Sequence, residues 1–537
     1  MKNSFISFIE SISKPGILFP NVMAAAVMAV MNVTTAISIG ALVFCGSLAP
    51  HLSTGIGLYL VGTVVGGLLI AMLSGYKAVI AGPRSGQAPI VASLAAGIAL
   101  TMQGQPDAEI VATVMAGILA TTVFIGIILY AIGWAKLGGM VRYIPYPVMG
   151  GFFAGLGYLL LKGGILVTVG PLVSADDISS FMSMSVSMHL APAIAFALFL
   201  YVLEQRVKHW LLMPLYIAAT IAIFYSTIFA TGVTVEMAAE NFWLPVLDDT
   251  DTTFIPVFTL NQLELVNWSA VFGQASTIFV MVLISVIMLL LGISGVEIAV
   301  DRKIDPNREL KAAGLGNIVS GLSTGVLGMQ SPAGTAFVFK LGGTRFIMIL
   351  AYTVFVGSIL AAGPGLIAYV PTLLLGGLLI FIGLDFLMKW VWHTRKTLPE
   401  KDHVVVFSIL LVVIFFGILE GIAVGLMLAI ILFVHSYSQL SVIKNSISGN
   451  EYISNIDRDV GQTQHLNLHN SEIQIIMLQN FLFFGTSSRL LEDIETLLDD
   501  PSRPKIRYLV LDFYRVVAMD TSAANSFKKL LQICNKK

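Results

Sequence analysis

Apolar runs long enough to cross a bilayer, one after another, leave this chain little choice of fold. Between about residue 20 and about residue 435 there are roughly fourteen of them. The connections between the runs alternate in charge. Those around 49–55, 102–108, 171–189, 231–271, 322–329 and 362–370 contain no Lys or Arg. The intervening ones carry Lys77, then Lys136 and Arg142, Arg206 and Lys208, Arg302 with Lys303, Arg308 and Lys311, Lys340 and Arg345, and the bases from Lys389 to Lys401. A miscounted run would break this alternation at the first error, so the pattern predicts fourteen crossings with both termini cytoplasmic. With 56% of its 537 residues hydrophobic and 11% charged, the chain is no water-soluble globule. Its opening, MKNSFISFIESISKP, mixes acid and base and lacks the regions of a cleavable signal peptide, so the first run is read as retained. Cys45 and Cys534 are the only cysteines and offer neither a disulfide framework nor a metal cluster.

An internal repeat refines this picture. Tyr143-Ile144-Pro145, Gly150-Gly151 and Gly157 recur as Tyr369-Val370-Pro371, Gly376-Gly377 and Gly383, each matched pair 226 residues apart. The first copy leaves a basic loop and the second a base-free one, so the copies point in opposite directions. That is the 7+7 inverted repeat of secondary transporters. Such folds place substrate at the midplane between discontinuous helices, which guides a search for short segments interrupted by Gly and Pro. Residues 87–102, after AGPRSGQAP, and residues 332–339, after GVLGMQ, are both too short to span. Two half-helices meeting at the midplane bring two dipole-positive ends and their open N–H groups together, an anion site built mostly of backbone. Pro89 and Pro332 suit a first helical turn, where no N–H is needed.

Several strings carry a family resemblance. Ser74-Gly75-Tyr76-Lys77 leading to AGP, VRYIPYPVMGGFFAGLG at 141–157, NRELKAAGLGNIVSGL at 307–322 and YVPTLLLGGLLIFIGLDFLMKW at 369–390 resemble the SulP (sulfate permease) family. The tail, EIQIIMLQNFLFFGTSSRLLEDIETLL and RYLVLDFYRVVAMDTSAANSFKKLL, resembles a STAS domain. The resemblance implies an all-α polytopic membrane protein of core and gate domains, a homodimer, and a cytoplasmic α/β STAS-like module. The expected division is 1–440 transmembrane, 441–470 linker and 471–537 STAS-like, the last reading as truncated after two strands and two helices. Two departures stand out. Asn32 occupies the middle of the first run, where the family places proline at an unwound point, and the eighth run has Glu297 later than the family's acid.

The expected substrate site therefore comprises Gln87 and Ala88 at one half-helix and Gln330, Ser331, Ala333 and Gly334 at the other. Hydroxyls of Thr34 and Thr35 from a break in the first run, and of Ser294 from the eighth, complete it. Thr34, Thr35 and Ser38 also suit close helix packing. Glu297 is the expected carrier of a coupling ion, Na+ or H+, or else an interfacial acid paired with Arg302 or Lys303. Arg84 either adds field to an anion path or is a topology-setting base, and Lys162 either snorkels or pairs within the bundle. Ser522 sits where STAS domains carry a regulatory serine, although Asp520-Thr521-Ser522 also reads as a helix cap. Scattered histidines and the lack of a nucleotide motif or metal spacing point away from an enzyme or a nucleotide-driven pump, and no cofactor, metal or nucleic acid is expected. The functional reading is a secondary transporter of a small anion (sulfate, bicarbonate or dicarboxylate class) in the plasma membrane bilayer. The rivals are a nucleobase permease of the same fold and a non-transporting sensor or scaffold with a collapsed, apolar midplane site.

Overall fold

The computed structural model describes residues 15–536 apart from 140–144, 171–182, 208, 210, 246–253, 257, 364, 366, 367, 439, 440, 453, 454 and 503. Tyr143 and Ile144 of the repeat, and the bases Arg142 and Lys208, lie outside the described residues. Contacts divide the chain into two compact units, Met1–Gly425 and Leu426–Lys537.

The helices follow the apolar runs in order. In the first half they are α1 (Pro15–Val43), α2 (Gly46–Leu73), α3 (Ala88–Thr101), α4 (Asp107–Trp134), α5 (Tyr146–Val169), α6 (Met184–Arg206) and α7 (Leu212–Thr231). In the second they are α8 (Ala275–Val300), α9 (Pro306–Leu322), α10 (Pro332–Lys340), α11 (Phe346–Ala362), α12 (Thr372–Thr397), α13 (Glu400–Phe415) and α14 (Ile418–Ser438). Among the described residues, nine helices are long and apolar enough to cross a membrane. The shortest members are α3, 14 residues, and α10, 9 residues, about 21 and 13 Å of helix against a hydrocarbon core of about 30 Å. Each starts at a proline in its first turn, as the Gly/Pro-rich leads predict.

Glycine lets the longer helices approach. A Cβ on Gly157 of α5 would lie 2.9 Å from the carbonyl oxygen of Gly383 on α12, and one on Gly383 would lie 2.6 Å from that of Gly157. One heptad along, Gly164 and Gly376 meet in the same way, so the two helices run antiparallel with matched glycines of the repeat in contact. A methyl group at either place forces the backbones apart, which is why small residues dominate membrane helix crossings. Gly126 of α4 and Gly314 of α9 make the equivalent contact elsewhere, each 2.8 Å from the other's carbonyl if given a Cβ. Helices α1–α4 and α8–α11 pack mainly among themselves, as do α5, α6, α12 and α13, with α1 also touching α5, α7 and α12.

Strands β1 (Ala81–Gly82) and β2 (Met329–Gln330) belong to the first unit; in the second, β3 (Ile443–Ser448), β4 (Ile473–Leu482) and β5 (Tyr508–Met519) form one sheet in that order, with β3 antiparallel and β5 parallel to β4. A parallel neighbour needs a crossover, supplied by α16 (Phe484–Leu498). The core is Ile476, Leu478 and Leu482 of β4 with Leu490 and Ile494 of α16 and Ala523 and Leu530 of α17 (Thr521–Cys534). The expected two strands and two helices are thus present in order. Segment 441–470, read as a linker, also holds β3 and helix α15 (Val460–His469). Strand β3, IKNSIS, has no apolar run to announce it; its ladder to β4 makes it a strand.

The glycine contacts predict substitutions of opposite sign. Gly383→Val should destabilise the detergent-solubilised protein by about 1–3 kcal/mol through overpacking. Gly357→Ala on α11, with nothing within 4 Å of its added methyl, should be neutral or stabilise by up to about 1 kcal/mol through helix propensity. Thermal unfolding of both variants checks this; equal destabilisation by the two would mean that the α5–α12 contact does not set the crossing.

Candidate functional site

The leads into α3 and α10 cross each other as a two-stranded antiparallel ladder, Ala81–Gly82 paired with Met329–Gln330. The pairing extends by Ser331 N–H donating to Ile80 O (2.7 Å) and Ile80 N–H donating to Thr335 Oγ1 (3.1 Å). Non-helical backbone is tolerated at membrane depth only if it finds such partners. Nearby helices supply others: Leu58 O on α2 accepts from Val326 N–H (3.0 Å) and Asn317 Oδ1 on α9 from Gly328 N–H (2.7 Å). Helix α2 comes very close, for a Cβ on Gly67 would lie 2.5 Å from Ala81 O, and it contains a π-helical turn at Gly62–Gly66. Gly82 has φ +154°, a conformation that favours glycine.

The half-helix ends are less open than the sequence suggests. At α10, Pro332 has no N–H, Gly334 N–H donates to Ser331 Oγ (3.0 Å) and Thr335 N–H to Ser331 O (2.9 Å), leaving Ala333 N–H. At α3, Ala88 N–H donates to Ser85 O (3.2 Å), and Ile90 and Val91 N–H both to Gln87 O (3.1 Å). A site built mostly of backbone is thus not what these turns provide. Charge comes instead from Arg84, half-buried, whose guanidinium Nη1 donates to Ser331 Oγ, 247 residues away in sequence. Among the described residues no carboxylate lies within ion-pair distance of it. Arg84 lines a cavity of about 20 Å³ with Asn32, Thr35, Tyr59, Thr63 and Ser331, room for about one water molecule. Asn32 Nδ2 donates to Tyr352 Oη on α11 (2.5 Å).

Of the residues expected to bind substrate, Thr35 and Ser331 line this cavity. Helix α1 is unbroken, because with Asn32 in place of proline its hydrogen-bond ladder continues. The hydroxyls of Thr34 and Thr35 accordingly donate back to Val30 O and Met31 O, both 2.8 Å. Gln87 is buried and donates to Ser285 Oγ on α8 (2.8 Å), and Ala88 is buried behind it. Gln330 turns away from the cavity towards Glu309, and Gly334 packs under Ser331. Ser294 and Ala333 are exposed and outside the cavity. Glu297 is half-buried; its Oε1 accepts from Ile304 N–H (2.7 Å), closing the turn between α8 and α9, and neither Arg302 nor Lys303 pairs with it. Lys162 is exposed on α5. Ser522 is exposed in the first turn of α17, where Asp520 caps the helix by accepting from Ala523 N–H (2.6 Å).

Sequence reasoning missed Glu309. Its carboxylate is 2% exposed and accepts from Ser74 Oγ (3.0 Å), Gly75 N–H (2.6 Å) and Gln330 Nε2 (2.7 Å). It ties α9, the end of α2 and strand 329–330 together directly behind Ser331. Its signal was the NREL string itself, which names a residue but no partner. Glu309→Leu leaves two buried donors, Ser74 Oγ and Gln330 Nε2, without this acceptor, along with the exposed Gly75 N–H, and should cost about 2–3 kcal/mol. Glu309→Gln, which keeps one acceptor, should cost less. Thermal unfolding ranks the two; equal stability of Glu309→Leu and the wild type would mean that the carboxylate is dispensable to the crossing.

A helical membrane bundle in which two half-helices cross beside a guanidinium defines a class, the multi-pass membrane proteins of inverted-repeat transporter fold. The chain belongs to the sulfate permease family, whose model matches residues 18–409, and a STAS domain model matches residues 467–537. It is 25% identical over 97% of its length to the vacuolar basic amino acid transporter VSB1 of Saccharomyces cerevisiae, and spans about half, 52%, of that relative. It is 23% identical to the putative sulfate transporter YvdB of Bacillus subtilis (87% of this chain, 81% of the relative) and 22% to the bicarbonate transporter BicA of Synechocystis (80% and 73%). Its fold is similar to that of the murine solute carrier 26 family member A9 anion transporter in the inward-facing state, with TM-score 0.68 at 15% identity, covering 96% of this chain and 84% of the other.

Proposed function

We propose that the protein is a secondary transporter of a small anion, sulfate or bicarbonate in class, which binds at Arg84 between the half-helices and crosses by alternating access. The observation that carries this reading is a cation held within a membrane bundle, bonded to a neutral serine and, among the described residues, facing no carboxylate. A desolvated, unpaired charge is costly, and an anion that reaches it removes the cost. Ala333 N–H and the dipole-positive ends of α3 and α10 add to the field. The polar lining speaks against the sensor or scaffold reading, whose mark is an apolar site. The matched STAS domain speaks against a nucleobase permease. A basic amino acid, the class named for the yeast relative, needs carboxylates where this cavity presents a guanidinium. The alternation of loop bases supports cytoplasmic termini; a plasma membrane location and a homodimer are expectations carried over from the sequence reading.

Arg84→Gln should weaken sulfate or bicarbonate uptake into proteoliposomes at least about thirtyfold in affinity, the loss expected on removing one partner of a buried charge pair. Arg84→Lys should fall between, since it keeps the charge and loses the planar fork. Wild-type uptake of labelled lysine or arginine with none of sulfate or bicarbonate overturns the reading.

Coupling to Na+ or H+ is assigned to Glu297, whose second carboxylate oxygen is open beside the α8–α9 turn, and regulation to the exposed Ser522. Glu297→Gln should lose dependence on an imposed Na+ or pH gradient while keeping anion affinity, and Ser522→Glu should change the maximal rate alone. Full gradient dependence in the first variant, or an unchanged rate in the second, removes that assignment.

A further inference from the structure

Among the described residues lining the cavity beside Arg84, one hydroxyl has no partner in the unloaded protein. Tyr59, on α2, lines it and is 2% exposed; its hydroxyl is buried and has no hydrogen-bond partner. Neighbouring donors are committed: Thr35 to Met31 O, Thr63 to Tyr59 O (2.9 Å), Asn32 to Tyr352 and Arg84 to Ser331. Other buried polar atoms without partners belong to Tyr76, Gln87, Thr121, Asn317 and Gln330, none of which lines this cavity. Buried hydroxyls are almost always satisfied, because an open one forfeits its hydration with nothing in return. One left open at the rim of a cavity that also holds a cation points to an acceptor that comes and goes. The π-helical turn Gly62–Gly66 follows Tyr59 within a few residues, an irregularity frequent at functional sites.

We infer that Tyr59 Oη donates a hydrogen bond to the transported anion while the Arg84 guanidinium neutralises it, so that α2 as well as the two half-helices reads the substrate. This inference rests on the anion reading above and adds a contact to it. It predicts a signature that a packing role does not share. Loss of the hydroxyl weakens binding and leaves the unloaded protein as stable as before, or more so, since an unsatisfied buried group is removed without a change of shape.

The experiment compares wild type, Tyr59→Phe and Arg84→Gln in proteoliposomes, reading the concentration dependence of bicarbonate and of sulfate uptake, together with thermal unfolding of each protein without either anion. Tyr59→Phe should raise KM about tenfold or more, the range for a hydrogen bond to a charged group, with the maximal rate little changed and the unfolding temperature equal or higher. A KM within twofold of wild type, or an unfolding temperature that falls in step with uptake, overturns the inference. If Arg84→Gln fails as expected while Tyr59→Phe behaves as wild type, the anion site stands and the part of Tyr59 falls. If neither variant changes KM, or the wild type takes up neither anion, the site falls with it.

Discussion

Everything near the centre of this membrane unit depends on where the backbone of two interrupted helices finds its hydrogen bonds. Water is not available at that depth, so the leads into α3 and α10 must bond to each other or to side chains sent for the purpose. They do both. Four residues pair as a ladder, Thr335 and Asn317 complete it from the sides, and Glu309 holds Gln330 from behind. Because each lead is the other's partner, neither half-helix can shift alone, and the place where they meet is fixed to within a hydrogen bond. Arg84 and Ser331 are neighbours only because the ladder sets the register of one lead against the other.

The glycines of α2, α5 and α12 follow from the same economy of space. A helix can cover a two-stranded ladder only if its own surface is nearly bare, and the would-be Cβ of Gly67, 2.5 Å from Ala81 O, shows how bare it must be. At the α5–α12 crossing the requirement is doubled: Gly157 and Gly383, counterparts in the repeat, each meet the other's carbonyl, and so do Gly164 and Gly376. Membrane helices gain little from the hydrophobic effect against one another, so such close van der Waals approach supplies much of the association energy.

What could be read from the sequence was what is written locally. Apolar runs, the alternation of loop bases, the 226-residue repeat and the Gly/Pro leads place the helices and identify α3 and α10 as half-helices, because each signal sits within a few residues of the element it announces. Roles that depend on partners far away were illegible. Arg84 reads either as a base on an anion path or as a topology-setting loop base, with nothing to choose between them until Ser331 arrives from the other half, and Tyr59 reads as one more apolar residue of α2. Thr34 failed for the opposite reason: its donor is spent on Val30 O, a choice made by the unbroken ladder of α1 and invisible in the residue itself. Ser294 and Ala333 stand at plausible distances along the chain but on faces that the cavity does not use. Strand β3 escaped notice because four of its six residues are polar and only its pairing to β4 defines it.

The size of the cavity and its charge make opposite demands, and the bond between Arg84 and Ser331 reconciles them. About 20 Å³ has room for roughly one water, so the groups that line the cavity stand close around one another. In that arrangement the guanidinium has a stand-in acceptor, the hydroxyl of Ser331, which also caps α10 by accepting from Gly334 N–H. A neutral hydroxyl is a weaker partner for a guanidinium than an anionic oxygen. On the anion reading, an entering substrate therefore takes Arg84 from Ser331 with a net gain, while the serine keeps its cap and the half-helix end keeps its shape. The exchange needs room, and room requires the bundle to part beside the ladder, so binding and opening are one event in which the stronger bond to the anion offsets the work of separation.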